Sequence, residues 1–299
     1  MSQFLHTIPL INRGVKIRCK QLNYIAYKNF VKTILNDSPN DLDFFINELL
    51  DDLVDNYDVY KLDAIDKFII LMYLRCVDVA PFIELESVCI DTDEKYSIQV
   101  DLIDILGRID DITVQKDLHI NQGNEQITLT IPRNFYNETI YDAYINSIRC
   151  VKCGDKTIDV RLFDVNDDKT MLLESLPASI FDEYKNYVLK QDAIVADFHT
   201  FETRASLKDD APLIPYKLSV LNSSMRTFLK FLFEDNLKSL FEFEFYILSK
   251  VHLPYEILTN CTLVELQIYT GCTLKSESPS KKSNNAPQVG KPLETGALL

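Results

Sequence analysis

An α+β fold is predicted, with a mainly helical body, an inserted antiparallel β-hairpin module and a flexible C-terminal tail. Three observations predict it. Apolar residues recur at helical spacing up to about residue 80 and again after about 165, and alternate with period two in between. The segment LDAIDKFIILMYLRC (62–76) is apolar on nearly every side, as a helix at the centre of a domain must be. SIRCVKC and KTIDVRLF (147–163) form two alternating runs joined at Gly154-Asp155, a two-residue hairpin signal. The change of period divides the chain into 1–80 (a strand and helices of the body), 81–165 (the β-rich module), 166–274 (the C-terminal part of the body) and 275–299 (the tail).

The elements follow in order. GVKIRCKQ (14–21) reads as a strand with Val15, Ile17 and Cys19 on one face. Helices are expected at 24–36 and 40–55. In the second, Leu42, Phe45, Ile46, Leu49, Leu50 and Leu53 make a stripe and acids fill the other face. The third begins at Asp63, an N-cap with Asp66 three residues on, and runs to about Val77, burying Ile65, Phe68, Ile69, Met72 and Cys76. FIELESVCI (82–90), YSIQVDL (96–102) and QITLTIPR (126–133) alternate as strands. YSIQVDLIDI (96–105) echoes KTIDVRLFDV (156–165) with Ile, Val, Leu and Asp in register, and Cys89 falls within one residue of the place of Cys150. A repeated hairpin unit is the expectation. Helices return at 176–189, where a proline stands just inside the N-terminus, and over 223–251. In CTLVELQIYTG (261–271), Thr262 with Glu265 is a capping box and Gly271 a C-terminal stop. From Lys275 onward the chain is polar and carries Pro and Gly, the composition of a segment that orders only against a partner.

Composition narrows the function classes. With 45 acidic against 31 basic residues the net charge is −14, and residues 33–60 hold no Lys or Arg. Such a surface repels phosphate backbones, so nucleic-acid binding is not expected. Seven glycines include no phosphate-cradling loop. The richest apolar run, FIILMYL (68–74), is far too short to span a bilayer, and the N-terminus has no secretory pattern, so a cytosolic protein without membrane insertion is expected. Seven cysteines at irregular spacing argue for buried thiols over a disulfide framework.

The motif that invites chemistry is CVKCGD (150–155). Structural zinc needs four ligands, and Cys150 with Cys153 is half a site; the echo proposes Cys89 for the rest, but there the sequence reads CIDTD, so Asp91 or Asp93 would replace a thiolate. A two-residue hairpin turn would pair Cys153 with Lys156 and turn the two cysteines to opposite faces. No cofactor is therefore expected; Cys89, Cys150 and Cys153 are kept as candidate zinc ligands. Redox chemistry wants the pair at a helix N-terminus, and this one lies in a strand pattern. Histidines 6, 119, 199 and 252 are scattered, none has a partner at i+4, and DFHTFET (197–203) reads as packing. Pairs such as Asp51-Asp52, Asp110-Asp111 and Asp209-Asp210 read as solvated surface. The richest aromatic block is FLKFLFEDNLKSLFEFEFYIL (228–248). Leu237, Leu240, Phe241, Phe245 and Leu248 make one stripe, with Phe243, Tyr246 and Ile247 off it. The block reads as a central core helix or as a helix that packs part of its face on another subunit, and the two readings are compatible.

The order of parts resembles a known family. GVKIRCKQLNYIAYKNF is followed by the acidic helix, then by the helix carrying Ile65, Asp66, Lys67, Phe68, Leu74 and Arg75, then by β-rich insertions and a late helix opening Thr262 to Glu265. This is similar to the T4-type bacteriophage baseplate hub subunit and hub-assembly protein family, over about residues 8–272. The resemblance implies a non-enzymatic role: joining or chaperoning the hub of a contractile-tail baseplate by contacts with other baseplate or tail proteins, or with further copies of itself, in the virion or in the host cytoplasm during assembly. It brings no catalytic residues. The expected contact surfaces are Asp51, Asp52 and Asp55 on the acidic helix and Phe241, Phe243, Phe245 and Tyr246 on the aromatic one. Two alternatives stand beside it: a zinc-ribbon adaptor using the 87–163 module as its head, and a hydrolase whose acids and histidines meet only in space.

Overall fold

The computed structural model describes residues 5–10, 15–36, 42–89, 91–108, 117–135, 137, 139–159, 174, 178–198, 201–204, 213–216, 219, 224–233 and 237–276. They form helices with small antiparallel sheets, the α+β architecture that the change of period predicts. The expected tail lies outside the described residues beyond 276, as do Asp110-Asp111, His199 and Asp209-Asp210.

The chain opens with a hairpin, strand β1 (Leu5–Leu10) against β2 (Val15–Lys20), with His6 opposite Cys19 and Ile8 opposite Ile17. Strand β1 is an element that the reading of the sequence lacked: HTIP does not alternate cleanly, and Pro9 is tolerated because β1 pairs with one neighbour only. Ile8, Leu10, Ile17 and Cys19 are buried, whereas Val15 at the start of β2 faces solvent. Helices α1 (Tyr24–Asn36) and α2 (Leu42–Leu53) follow, the latter burying Leu42, Ile46, Leu50 and Leu53 and leaving Phe45 of the expected stripe about one third exposed.

Helix α3 (Ala64–Leu74) is the centre. Asp63 caps it, its carboxylate accepting the Asp66 N–H at 2.9 Å. Eight apolar side chains, from Ala64 to Leu74, are buried on every side. It runs on as a π-turn (Arg75–Val79) held by its own first residue: Arg75 donates from Nε to Leu232 O at 2.7 Å and from Nη1 to Ala80 O at 2.8 Å. Around α3 lie hairpin β3 (Phe82–Val88) and β4 (Lys95–Asp101), short helix α4 (Leu102–Gly107), and the late helices α7 (Ser224–Phe233), α8 (Leu237–Tyr246), α9 (Tyr255–Asn260) and α10 (Leu263–Ser276), all contributing to one hydrophobic core. The capping box of α10 is present in both directions: Thr262 N donates to Glu265 at 2.8 Å and Glu265 N to the Thr262 hydroxyl at 3.2 Å. Gly271 does not stop that helix, which continues to Ser276, because no αL turn forms there.

A second core belongs to a four-stranded antiparallel sheet, in spatial order β5 (Leu118–Gln122), β6 (Glu125–Leu129), β7 (Ile148–Cys153) and β8 (Lys156–Asp159). Helix α5 (Ile140–Ile145) precedes β7, and helix α6 (Ala178–Phe198), longer than the expected 176–189, lays Tyr184, Tyr187 and Val188 on the sheet. The two echoed hairpins are both antiparallel but sit in separate sheets with different turns. Gly154 takes a positive φ of 60° in the tight one, whereas Asp93 takes φ 55° in the longer loop closed by Cys89 N to Glu94 O. Strands β9 (Phe201–Arg204) and β10 (Leu213–Tyr216) pair between the expected helices 176–189 and 223–251.

Candidate interaction site

The cysteine motif resolves into hairpin backbone. Cys153 pairs with Lys156 and Cys150 with Asp159, and positions three apart on a pleated strand alternate between faces. Cys89 is fully buried beside the β3–β4 turn, in a different sheet from Cys150. Among the described residues, no three His, Cys, Asp or Glu side chains gather as a metal site.

Among the described residues, one grouping of catalytic residue types involves side chains that sequence spacing had no means to connect. His6 Nε2 lies 3.0 and 3.1 Å from the two carboxylate oxygens of buried Asp78, and Cys19 is His6's register partner across the hairpin. By residue type this is a Cys–His–Asp set. Its electrostatics run the wrong way for a nucleophile. Burial first, and then the Asp78 charge, push the fully buried Cys19 thiol up to about 12, where activation would require a depressed value. Asp78 also accepts the Leu22 N–H at 2.7 Å, so the group fastens the first hairpin and the start of α1 to the π-turn after α3. His119 bonds to the Thr128 hydroxyl at 3.1 Å on the neighbouring strand, and exposed His252 closes the second π-turn (Ile247–Val251) in the left-handed conformation, φ 54°.

Two exposed surfaces carry the residues that the sequence singles out. On α8 the buried line is Leu240, Phe243 and, one turn on, Ile247, with Leu237 and Leu248 packed against the same core; of the expected stripe, Phe241 and Phe245 are the two that turn away. Phe243, only 3% exposed, packs edge-on to Tyr24 and is a core residue. Phe241 and Phe245 face outward, Phe245 with 70% of its surface free, and Tyr246 is intermediate. Phe241 is not bare: the ammonium groups of Lys28 and Lys32 each lie 5.1 Å from its ring centre. Lys28 also pairs with Glu244. The residues brought together are therefore Phe241, Lys28 and Lys32, a combination that heptad-style reading of one helix does not reach.

The second surface is an open groove of about 410 Å³, floored by α1 and flanked by α2 and α9. Ile25, Ala26, Phe30, Phe45 and Leu49 supply its apolar lining, and Asp52 stands at its edge. Phe44 and Phe45 meet edge-to-face, 5.4 Å between ring centres, with Phe44 59% exposed. Asp51, Asp52 and Asp55 are all exposed, as expected, and Asp55 pairs with Arg18 at 3.1 Å.

No described helix is long and apolar enough to cross a membrane. Comparison with curated proteins and with solved structures gives no match. A family model described as T4 bacteriophage base plate protein matches residues 1–200, which takes in the first hairpin, both walls of the groove that lie on α1 and α2, the central helix and the four-stranded sheet. With two thirds of its length matched, the chain belongs to the T4 bacteriophage base plate protein family and is a structural protein of the phage tail baseplate or of its assembly.

Proposed function

We propose that this baseplate protein works at the hub, as a component or an assembly chaperone, through protein–protein contacts alone. One observation carries the reading beyond the family: large apolar side chains stand in solvent on rigid helices where the core makes no use of them. Phe44 and Phe45 on α2, Phe241 and Phe245 on α8, and Ile268 and Tyr269 on α10 are each more than a third exposed. Helices hold such anchors in fixed geometry, and a desolvated aromatic centre with a charged rim is how tight interfaces are built. Asp51, Asp52 and Asp55 supply that rim, with Phe241, Phe245 and Tyr246 as anchors of the second surface. The test is size-exclusion chromatography with light scattering, alone and after co-expression with the phage's tail proteins. A stable complex with a hub protein is expected; a monomer that ignores every one of them overturns the proposal. Mass spectrometry of mature particles separates a retained component from a departing chaperone.

A further inference from the structure

We propose that the α1–α2–α9 groove docks a basic amphipathic segment of a partner protein. Resting on the hub reading above, this assignment adds the partner's chemistry to it. The apolar half of the requirement is the lining: Ile25, Phe30, Phe45 and Leu49 around about 410 Å³, a volume within the roughly 300–1,000 Å³ of ligand-sized clefts. Two polar side chains of the floor are already engaged. Asn23 accepts the Ala26 N–H at 2.9 Å, and the Thr33 hydroxyl donates to Asn29 O at 3.1 Å. Apolar burial and charge are then the main sources of affinity.

The charge is where α2 departs from what a helix wants. Glu48, Asp51 and Asp52 stand at i, i+3 and i+4, so three carboxylates share one exposed face and repel one another. Asp51 and Asp52 also occupy the last turn, where the helix dipole disfavours negative charge and where this helix has no basic residue. No described residue forms an ion pair with any of the three. Lys20 donates to the backbone carbonyl of Asp52 at 2.8 Å. A cationic segment whose apolar face enters the groove would relieve the repulsion and the dipole mismatch and bury Phe45 at once. A second copy of this chain is disfavoured by its net charge of −14.

The probe is a dye-labelled 18-residue peptide with Leu at helical i, i+3, i+4 spacing and Lys elsewhere, titrated against the full chain by fluorescence anisotropy. Its counterpart carries Glu in place of Lys. Saturable binding of the Lys peptide is expected, with little from the Glu peptide. The double variant Phe44→Ser, Phe45→Ser, which keeps every charge, is expected to weaken binding at least about ten-fold, as is Asp51→Asn with Asp52→Asn. Glu242→Gln, an exposed acid on α8, should leave it unchanged. Circular dichroism confirms that each variant is folded. Equal binding of both peptides, or full affinity in the double Phe variant, overturns the proposal, since attraction would then be unspecific. So does displacement of the probe by a peptide of residues 275–299, which would make the chain's own basic C-terminal segment the occupant. So too does a concentration-dependent dimer abolished by the Phe substitutions. The hub reading fails separately: if the peptide binds as expected but no tail protein co-purifies, the groove's chemistry stands and the hub assignment falls. If a hub complex survives loss of the groove, the reverse holds.

Discussion

Lys67 offers a test of how the centre of the protein is held. It lies fully buried in the first turn of α3, its ammonium donating to Arg133 O at 2.9 Å. Burial pulls its pKa from the ordinary 10.5 down to about 8, against the pull of Asp43, with Arg133 lowering it further and Asp63 and Asp66 raising it. The sign follows from proton counting. Below pH 8 both folded and unfolded chains carry the charge, and the folded state bears the whole cost of the buried cation. Between pH 8 and 10.5 the folded chain has released the proton while the unfolded chain still holds it, so stability rises with pH, by up to about 1.4 kcal/mol per pH unit. Across that window the gain totals about 3 kcal/mol. Many other groups titrate there, so the measurable quantity is the difference between wild type and Lys67→Met, which keeps the stem and loses the charge. Urea unfolding followed at 222 nm at pH 7, 8, 9 and 10 should show that difference moving in favour of wild type. By pH 10 the shift is roughly 2–3 kcal/mol, about 1 M in midpoint for a slope near 2 kcal/mol/M. Parallel curves for the two proteins would refute the reasoning.

Tyr24→Phe removes the hydroxyl that donates to Leu240 O at 2.6 Å between α1 and α8, leaving a buried carbonyl without that donor; a loss of about 1–2 kcal/mol is expected in the same urea assay, and no loss would show that water replaces the bond. Metal analysis of the purified protein should find well under one zinc per chain, whereas stoichiometric zinc lost on Cys150→Ser would restore the zinc-adaptor alternative. Phe245→Ser should alter stability by no more than about 0.5 kcal/mol, because the ring is mostly in solvent, yet reduce capture of a hub partner in pull-downs; unchanged capture removes α8 from the interface.

What was legible in the sequence follows the strength of the local signal. Asp63 and Asp66, or Thr262 and Glu265, lie three residues apart, and their capping bonds form as spacing predicts. Helix α3 declared its place by having no polar face. Strand β1 was illegible because its partner, not its own pattern, makes it a strand, and β9 and β10 were hidden for the same reason. The aromatic helix shows the limit of periodicity. Phe241, Phe243 and Phe245 are chemically alike, so nothing local says which faces inward. The choice is made by Tyr24, which meets Phe243, and by Lys28 and Lys32, which cover Phe241. The groove was invisible for a related reason: its lining comes from α1, α2 and α9, three segments whose packing no spacing encodes.

Several buried polar side chains argue for a scaffold, because they join one element to another. Arg75 ties the π-turn to the end of α7, Asp78 ties it to the first hairpin, and the Tyr24 hydroxyl ties α1 to α8. The most developed joint lies between the two cores. Residues 130–135 leave strand β6 and cross to the helical body: Thr130 N bonds to Ser147 O on the sheet side, Ala64 N to Pro132 O at the start of α3, and Phe135 N to the Asp43 carboxylate on α2. Ile131 and Phe135 are buried in the first core, while Leu129 belongs to the second. Lys67 sits in this joint, so the charge that α3 buries at a cost is also the donor that holds Arg133 O. Arg133 in turn donates from N and Nε to Asn146 O, at 3.1 and 3.0 Å, next to strand β7. A surface used for assembly needs its anchors fixed relative to one another before the partner arrives, since flexibility between them would have to be frozen on binding. A polar chain from Asp43 through the 130–135 segment, with buried Lys67 and half-buried Arg133, to Asn146 supplies that stiffness, and it runs from α2, the wall of the groove, to the sheet.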